Sequence, residues 1–171
     1  MRFWNAEPEV SALRHFYWQF FVTLTFRFAR PSRSTQAKLF IAWLRELENL
    51  HRGIRCLRLL HIRRFELGQR TGRGHLHACL SGLPVETKSE DFCKAAELAW
   101  RDLSRSSALV TIYDPARDGI GYVLKVPVRE HIYDGNGKRI ELREELWPTL
   151  SDSLIHAIRR GRYVRDGASR T

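Results

Sequence analysis

No run of about eighteen uninterrupted apolar residues occurs in the chain, so no membrane-spanning helix is expected. The N-terminus carries acids at Glu7 and Glu9 and no long apolar stretch, and it does not read as a signal segment. Cysteine is scarce: Cys56, Cys79 and Cys93 are far apart, odd in number and without a Cys-x-x-Cys pair, which argues against a disulfide framework or a zinc ribbon. A cytoplasmic location follows as the expectation. Acidic residues are also short, with 19 Asp and Glu against 29 Lys and Arg, a formal charge of +10 and a sequence pI near 10.2. That excess favours an anionic partner such as nucleic acid, although a basic surface can also meet acidic proteins or lipids. No internal repeat, low-complexity tract or linker interrupts the 171 residues, of which 43% are hydrophobic. One domain over 1–171 is expected, with a core from about 15 to 127 and a C-terminal extension from 128 to 171 of uncertain role.

What is present is alternation. Phe16, Trp18, Phe20, Val22, Leu24, Phe26 and Phe28 share one parity, and Tyr17, Gln19, Thr23, Thr25 and Arg27 share the other, which predicts a strand with one greasy face. Ser34 is a candidate N-cap, and Phe40, Trp43, Leu44, Leu47 and Leu50 then recur at helical spacing, predicting a helix from about 35 to 52. Residues 54–67 read as a second strand, and the glycines between 68 and 74 turn it back into a third, so the two pair antiparallel. The stretch Thr87-Lys88-Ser89-Glu90 has a capping-box pattern ahead of a helical stripe of Phe92, Ala95, Ala96, Ala99 and Leu103. Residues 108–113 alternate again as a strand, and Asp114-Pro115 opens a third helix that Pro127 should end near Val126. A turn at 134–137 and a helix over 150–160 complete the reading. The order βαββαβα predicts an α+β fold, a central antiparallel sheet with helices on its greasy face and the other face left for function.

On that free face the third strand places His75 and His77 side by side, because side chains two apart point the same way. Two imidazoles are half of a divalent metal site. A third ligand is available in Glu66, the only carboxylate between Glu48 and Glu86. It falls opposite His77 if Thr71-Gly72 forms the turn and opposite His75 if the loop is 68–73; either register puts it on their face. A Glu and two His suit Mg²⁺ or Mn²⁺ held with waters and a substrate phosphate. Cys79 could extend the set to a zinc site, although a lone cysteine there is more often a packing residue. On the third helix Tyr122 and Lys125, three apart, offer a phenol and an ammonium from one helical face. Beside a metal, they become a nucleophile and a cation directed at one phosphate.

Three stretches, in this order, resemble the motifs of HUH endonucleases, and among these the rolling-circle replication initiators of plasmids and of single-stranded DNA phages and viruses. Phe21-Val22-Thr23-Leu24-Thr25-Phe26 is similar to the first motif, a strand near the bound DNA. Gly74-His75-Leu76-His77-Ala78 is similar to the second, the metal-binding His-hydrophobe-His, and Tyr122-Val123-Leu124-Lys125 to the third, whose tyrosine attacks. The resemblance implies a ferredoxin-like or RRM-like fold and a site-specific nickase and ligase. Tyr122 would cleave single-stranded origin DNA, presented as an open strand or in a hairpin, and stay joined to the 5′ phosphate while a 3′ hydroxyl is left for a polymerase. Metal ligands would be His75, His77 and, by its position before the hairpin, Glu66.

A single tyrosine in the third motif matches single-tyrosine members, and Tyr17 reads as structural. No G-x-x-x-x-G-K-[ST] phosphate loop occurs, since Gly135-Asn136-Gly137-Lys138 lacks the spacing, so unwinding would fall to a separate helicase. Candidate DNA contacts are Thr23, Thr25, Arg27, Arg64, Arg70 and Arg73, within a wider set of arginines at 52, 55, 58, 63, 159, 160, 162 and 165. Phe21 and Tyr113 are candidates to stack on bases, core packing being the commoner use of such rings. Two alternatives remain at this level. One is a single-tyrosine HUH transposase, against which Val126 stands where a glutamine would favour it; the other is a non-enzymatic DNA-binding repressor.

Overall fold

A computed structural model describes residues 7–27, 31–50, 59–67, 73–125, 129–133, 139–144 and 149–159. In chain order the elements are α1 (Glu7–Arg14), β1 (Phe20–Thr25), α2 (Arg33–Leu50), β2 (Leu60–Leu67), β3 (Gly74–Ser81), α3 (Glu90–Ser104), β4 (Ala108–Ile112), α4 (Gly119–Leu124), β5 (Arg129–Tyr133), β6 (Arg139–Glu144), β7 (Thr149–Leu150) and α5 (Asp152–Arg159). Five strands form one sheet in the order β4-β1-β3-β2-β7, with every pair antiparallel. The run from β1 to β4 is βαββαβ, a ferredoxin-like arrangement in an α+β fold.

Alternation decides which side of the sheet each helix covers. Phe20, Val22 and Leu24 of β1 are wholly buried and meet α2 and α3, whose Phe40, Trp43, Leu47, Ala96 and Trp100 fill the same core. The buried positions of α2 fall at i, i+3, i+4 and i+7 from Phe40, the stripe expected of a helix packed on a sheet. Both buried indoles also find acceptors: Trp43 Nε1 donates to the Ala96 carbonyl at 2.9 Å and Trp100 Nε1 to the Thr25 carbonyl at 3.0 Å. This satisfies the polar end of each ring inside the core.

The opposite face is only partly open. Leu13 of α1, Ile120 and Val123 of α4 and Leu154 of α5 pack on Ile62 and Cys79 and form a second, smaller core. Helix α1 and the short strand β7 were not foreseen, since eight residues of modest amphipathicity and a two-residue strand carry too little periodicity to read. Cys79 lies under this layer, fully buried, with its thiol pushed up by burial; it packs and does not face a ligand.

Three boundaries differ from expectation for local reasons. Helix α2 starts earlier, because Ser32, not Ser34, caps it: its hydroxyl accepts from the Thr35 N–H at 3.1 Å. Helix α3 is capped by Ser89, which accepts from the Phe92 N–H at 3.2 Å, whereas Thr87 donates to the Pro84 carbonyl. The third helix is broken in two. Asp114 caps a 3₁₀ turn over Pro115–Arg117, Asp118 then takes a left-handed conformation with φ of 45°, and α4 begins after it. The Asp118 carboxylate caps α4 by accepting from the Gly121 N–H at 3.1 Å, and aspartate is among the few residues that tolerate such backbone. In the extension, β5 and β6 pair antiparallel across the segment where a turn was expected; the turn itself, at 134–137, lies outside the described residues.

Candidate active site

The β2–β3 register settles where Glu66 stands. Leu67 pairs with Gly74, so Glu66 lies opposite His75 and Arg64 opposite His77, the longer-loop alternative. On the other side of β3, Thr23 of β1 pairs with His77 and Thr25 with His75. Six side chains from three strands thus share one patch of the sheet.

Each imidazole is oriented by a threonine. The Thr23 hydroxyl lies 3.0 Å from His77 Nδ1 and the Thr25 hydroxyl 3.4 Å from His75 Nδ1. With Nδ1–H donated to the threonine, Nε2 carries the lone pair, which is the tautomer a metal ligand requires. The rings lie nearly parallel, 25° apart with centroids separated by 6.4 Å. His77 is held neutral well into the acid range, its pKa pushed down to about 4: burial is the main cause, the positive charges of His75, Lys125 and Arg64 add to it, and Glu66 opposes it.

Helix α4 brings Tyr122 over this patch. Its hydroxyl donates to Glu66 Oε2 at 2.8 Å, and its ring meets the His77 ring edge-on at 4.8 Å. Glu66 Oε2 is also 3.6 Å from His77 Nε2, so the carboxylate stands between phenol and imidazole. Lys125, the first residue past α4, holds its ammonium 3.7 Å from the centre of the Tyr122 ring. Tyr122 and Lys125 therefore sit together as the spacing predicted.

Arg64 is a correction. It was expected among the DNA contacts, but its guanidinium is buried, with Nε 3.3 Å from Glu66 Oε1 and Nη1 donating to the Lys125 carbonyl at the end of α4. A phosphate does not reach it there; it ties the carboxylate to the helix that carries the tyrosine. The signal was available in part: Arg64 has the parity of Glu66 on β2, but the helices were expected on the greasy face and this face was expected to be open, so α4 over Arg64 was not anticipated. Thr23 and Thr25 likewise spend their hydroxyls on imidazoles. Arg27 and Arg73 are exposed at the ends of β1 and β3. Arg70 and the arginines at 52, 55, 58, 160, 162 and 165 lie outside the described residues, as does the side chain of Arg159. Tyr17 lies apart from the site, under the Lys88 ammonium.

The donors fit a hard divalent cation in kind: two imidazoles presenting Nε2 and a carboxylate beside one of them. They are not closed into a cage. Among the described residues no group of three or more His, Cys, Asp or Glu is gathered so as to hold a metal ion. Glu66 turns one oxygen to Tyr122 and the other to Arg64. Among the described residues, too, no helix is long and apolar enough to cross a membrane.

Comparison with protein-family models, with curated proteins and with solved structures returned no match. The functional reading therefore stands on the site.

Proposed function

We propose that this protein is a metal-dependent, single-stranded DNA nickase and ligase of the HUH type that initiates rolling-circle replication, with Tyr122 as its nucleophile. The observation that carries the reading is the Tyr122 hydroxyl on Glu66 Oε2 at 2.8 Å, against the His77 ring. Residues remote in sequence and of the types that phosphodiester transfer needs meet at one point. A net charge of +10 suits a polyanionic substrate.

In this reading His75, His77 and Glu66 hold Mg²⁺ or Mn²⁺, which supplies charge neutralisation at the scissile phosphate when bound. The chain's own residues do the rest. Glu66 Oε2 orients the phenol, whose proton leaves to solvent as Tyr122 Oη attacks phosphorus; the bond from phosphorus to the 3′ oxygen breaks, and that oxygen takes a proton from solvent. The 5′ phosphate is left on Tyr122 and the 3′ hydroxyl is free for a polymerase, with unwinding by a separate helicase. Lys125 offsets charge on the phosphoryl oxygens. Attack by the 3′ hydroxyl on the phosphotyrosine reverses the sequence and joins ends.

The test is incubation with single-stranded oligonucleotides tiling the cognate origin, with Mn²⁺. Wild type should give an SDS-resistant adduct and Tyr122→Phe none. Replacing His75 and His77 together by Ala should abolish cleavage while leaving most salt-dependent DNA binding; undiminished nicking would overturn the metal assignment. Tight binding with no adduct on any strand would favour the repressor.

A further inference from the structure

Next to Tyr122 a cleft of about 320 Å³ opens between β1, β4 and the turn into α4, and nothing in the chemistry above uses it. Tyr122, His77 and Thr23 form the wall it shares with the active site; Phe21, Leu109 and Tyr113 give it an apolar lining. Phe21 lies nearly parallel to His77, 17° apart with centroids at 6.1 Å, and meets Tyr122 edge-on at 6.4 Å. The lining depends on Gly119, because a Cβ there would come within 2.8 Å of the Phe21 ring and 3.3 Å of the Tyr113 ring. Leu109, on the edge strand, is 58% exposed and directed at this opening rather than into either core. At the rim Asp114 and Arg117 pair at 3.5 Å while both stay open to solvent, so an acceptor and a guanidinium donor stand together.

Flat rings inside, an acceptor and a donor at the mouth, and room for one small planar group are the features of a site that stacks a nucleobase and reads its edge. The geometry points to a nucleobase subsite: with a DNA phosphate at Tyr122, the base of an adjoining nucleotide enters the cleft between Phe21, Leu109 and Tyr113, and Asp114 and Arg117 face its hydrogen-bonding edge. This rests on the single-stranded DNA reading and adds to it the place where sequence beside the cut is read. The apolar lining makes the subsite respond to the base and not to the backbone charge.

The experiment uses the full chain and two fluorescent probes of about twelve nucleotides, random-sequence single-stranded DNA and an abasic sugar–phosphate chain, read by anisotropy at matched salt. Wild type should bind the DNA at least about tenfold more tightly than the abasic chain, stacking of one base being worth roughly five- to a hundredfold. Leu109→Ala, at an exposed position that does not threaten folding, and Tyr113→Leu should weaken DNA binding about fivefold or more and leave the abasic affinity and the salt slope unchanged. Light-induced cross-linking from a 5-iododeoxyuridine in the DNA should mark peptides holding Phe21 or Tyr113. The subsite is overturned if both variants weaken the two probes equally or neither, or if the cross-links map elsewhere. Failure of wild type to bind either probe, even at low salt, overturns the DNA reading itself.

Discussion

On the face of the sheet covered by α2 and α3, Phe20, Phe26, Phe40, Trp43 and Trp100 interlock, with ring centroids 5.4 Å apart for Phe26 and Trp100 and 6.2 Å for Trp43 and Trp100, each pair edge-on. On the other face of the same strands, Thr23, Thr25, Glu66, His75 and His77 fill little space and instead bond to one another and to Tyr122. A two-residue period thus separates an aromatic, packed face from one that carries the polar cluster. Substitutions on the first face should move stability and spare the site, and those on the second should do the reverse. The polar side has its own buried exceptions: Arg64 joins Glu66 to the end of α4, and Ile62 and Cys79 pack under α1, α4 and α5.

The largest break of the first face is Trp100→Ala. The ring is wholly buried, touches Phe26 and Trp43 and donates to the Thr25 carbonyl, so truncation leaves a cavity and an unpaired acceptor. Unfolding free energy should fall by about 3–5 kcal/mol in urea titration. The folded fraction should still form adduct at low temperature. A loss under about 1 kcal/mol would show that this face is not the seat of stability.

Much of this division was legible in the chain. The alternation of β1, the His75–His77 pair and the parity of Glu66 all follow from a two-residue period, and only the register needed the structure. Less legible were features built from distant elements. The cleft beside Tyr122 depends on Asp118 turning left-handed so that Gly119 can meet Phe21, and no local pattern announces that contact. Cys79 is buried under α1, α4 and α5, and Arg64 is tied to the end of α4, short helices whose packing partners are far away in sequence. Charge alone suggested Arg64 for DNA; burial assigned it elsewhere.

A polar intruder on the greasy face gives the next sharpest comparison. His61 of β2 is buried edge-on against Phe40, its Nδ1 without a hydrogen-bond partner among the described residues, and the Arg63 guanidinium lies over the same ring. Burial above all, and then the charge of Arg63, pushes its pKa down to about 4. Between the unfolded value near 6.5 and about 4 the unfolded chain binds a proton that the native protein does not. Stability from this residue is therefore complete above about pH 6.5 and falls as pH drops, by about 1.4 kcal/mol per unit and roughly 3 kcal/mol in all. In metal-free buffer His77 acts in the same direction. His61→Phe should accordingly remove about one proton from the pH slope of unfolding free energy and leave the rest. An unchanged slope would mean that His61 is protonated in the native state.

The smallest effect belongs to the polar face and tests whether its hydrogen bonds orient or merely fill. Thr23→Val keeps the branched shape that a strand favours and removes only the hydroxyl facing His77 Nδ1 at 3.0 Å. Unfolding free energy should change by less than about 1 kcal/mol, since one partly buried hydrogen bond is lost. Mn²⁺ affinity, followed by paramagnetic resonance of the free ion, should fall about ten- to a hundredfold, because the ring loses the partner that fixes its tautomer and direction. Thr25→Val should do less, its hydroxyl being 3.4 Å from His75 Nδ1 and the weaker contact. If both variants bind Mn²⁺ as wild type does, the threonines only space the strands. The polar face would then differ from the greasy one in composition without differing in task.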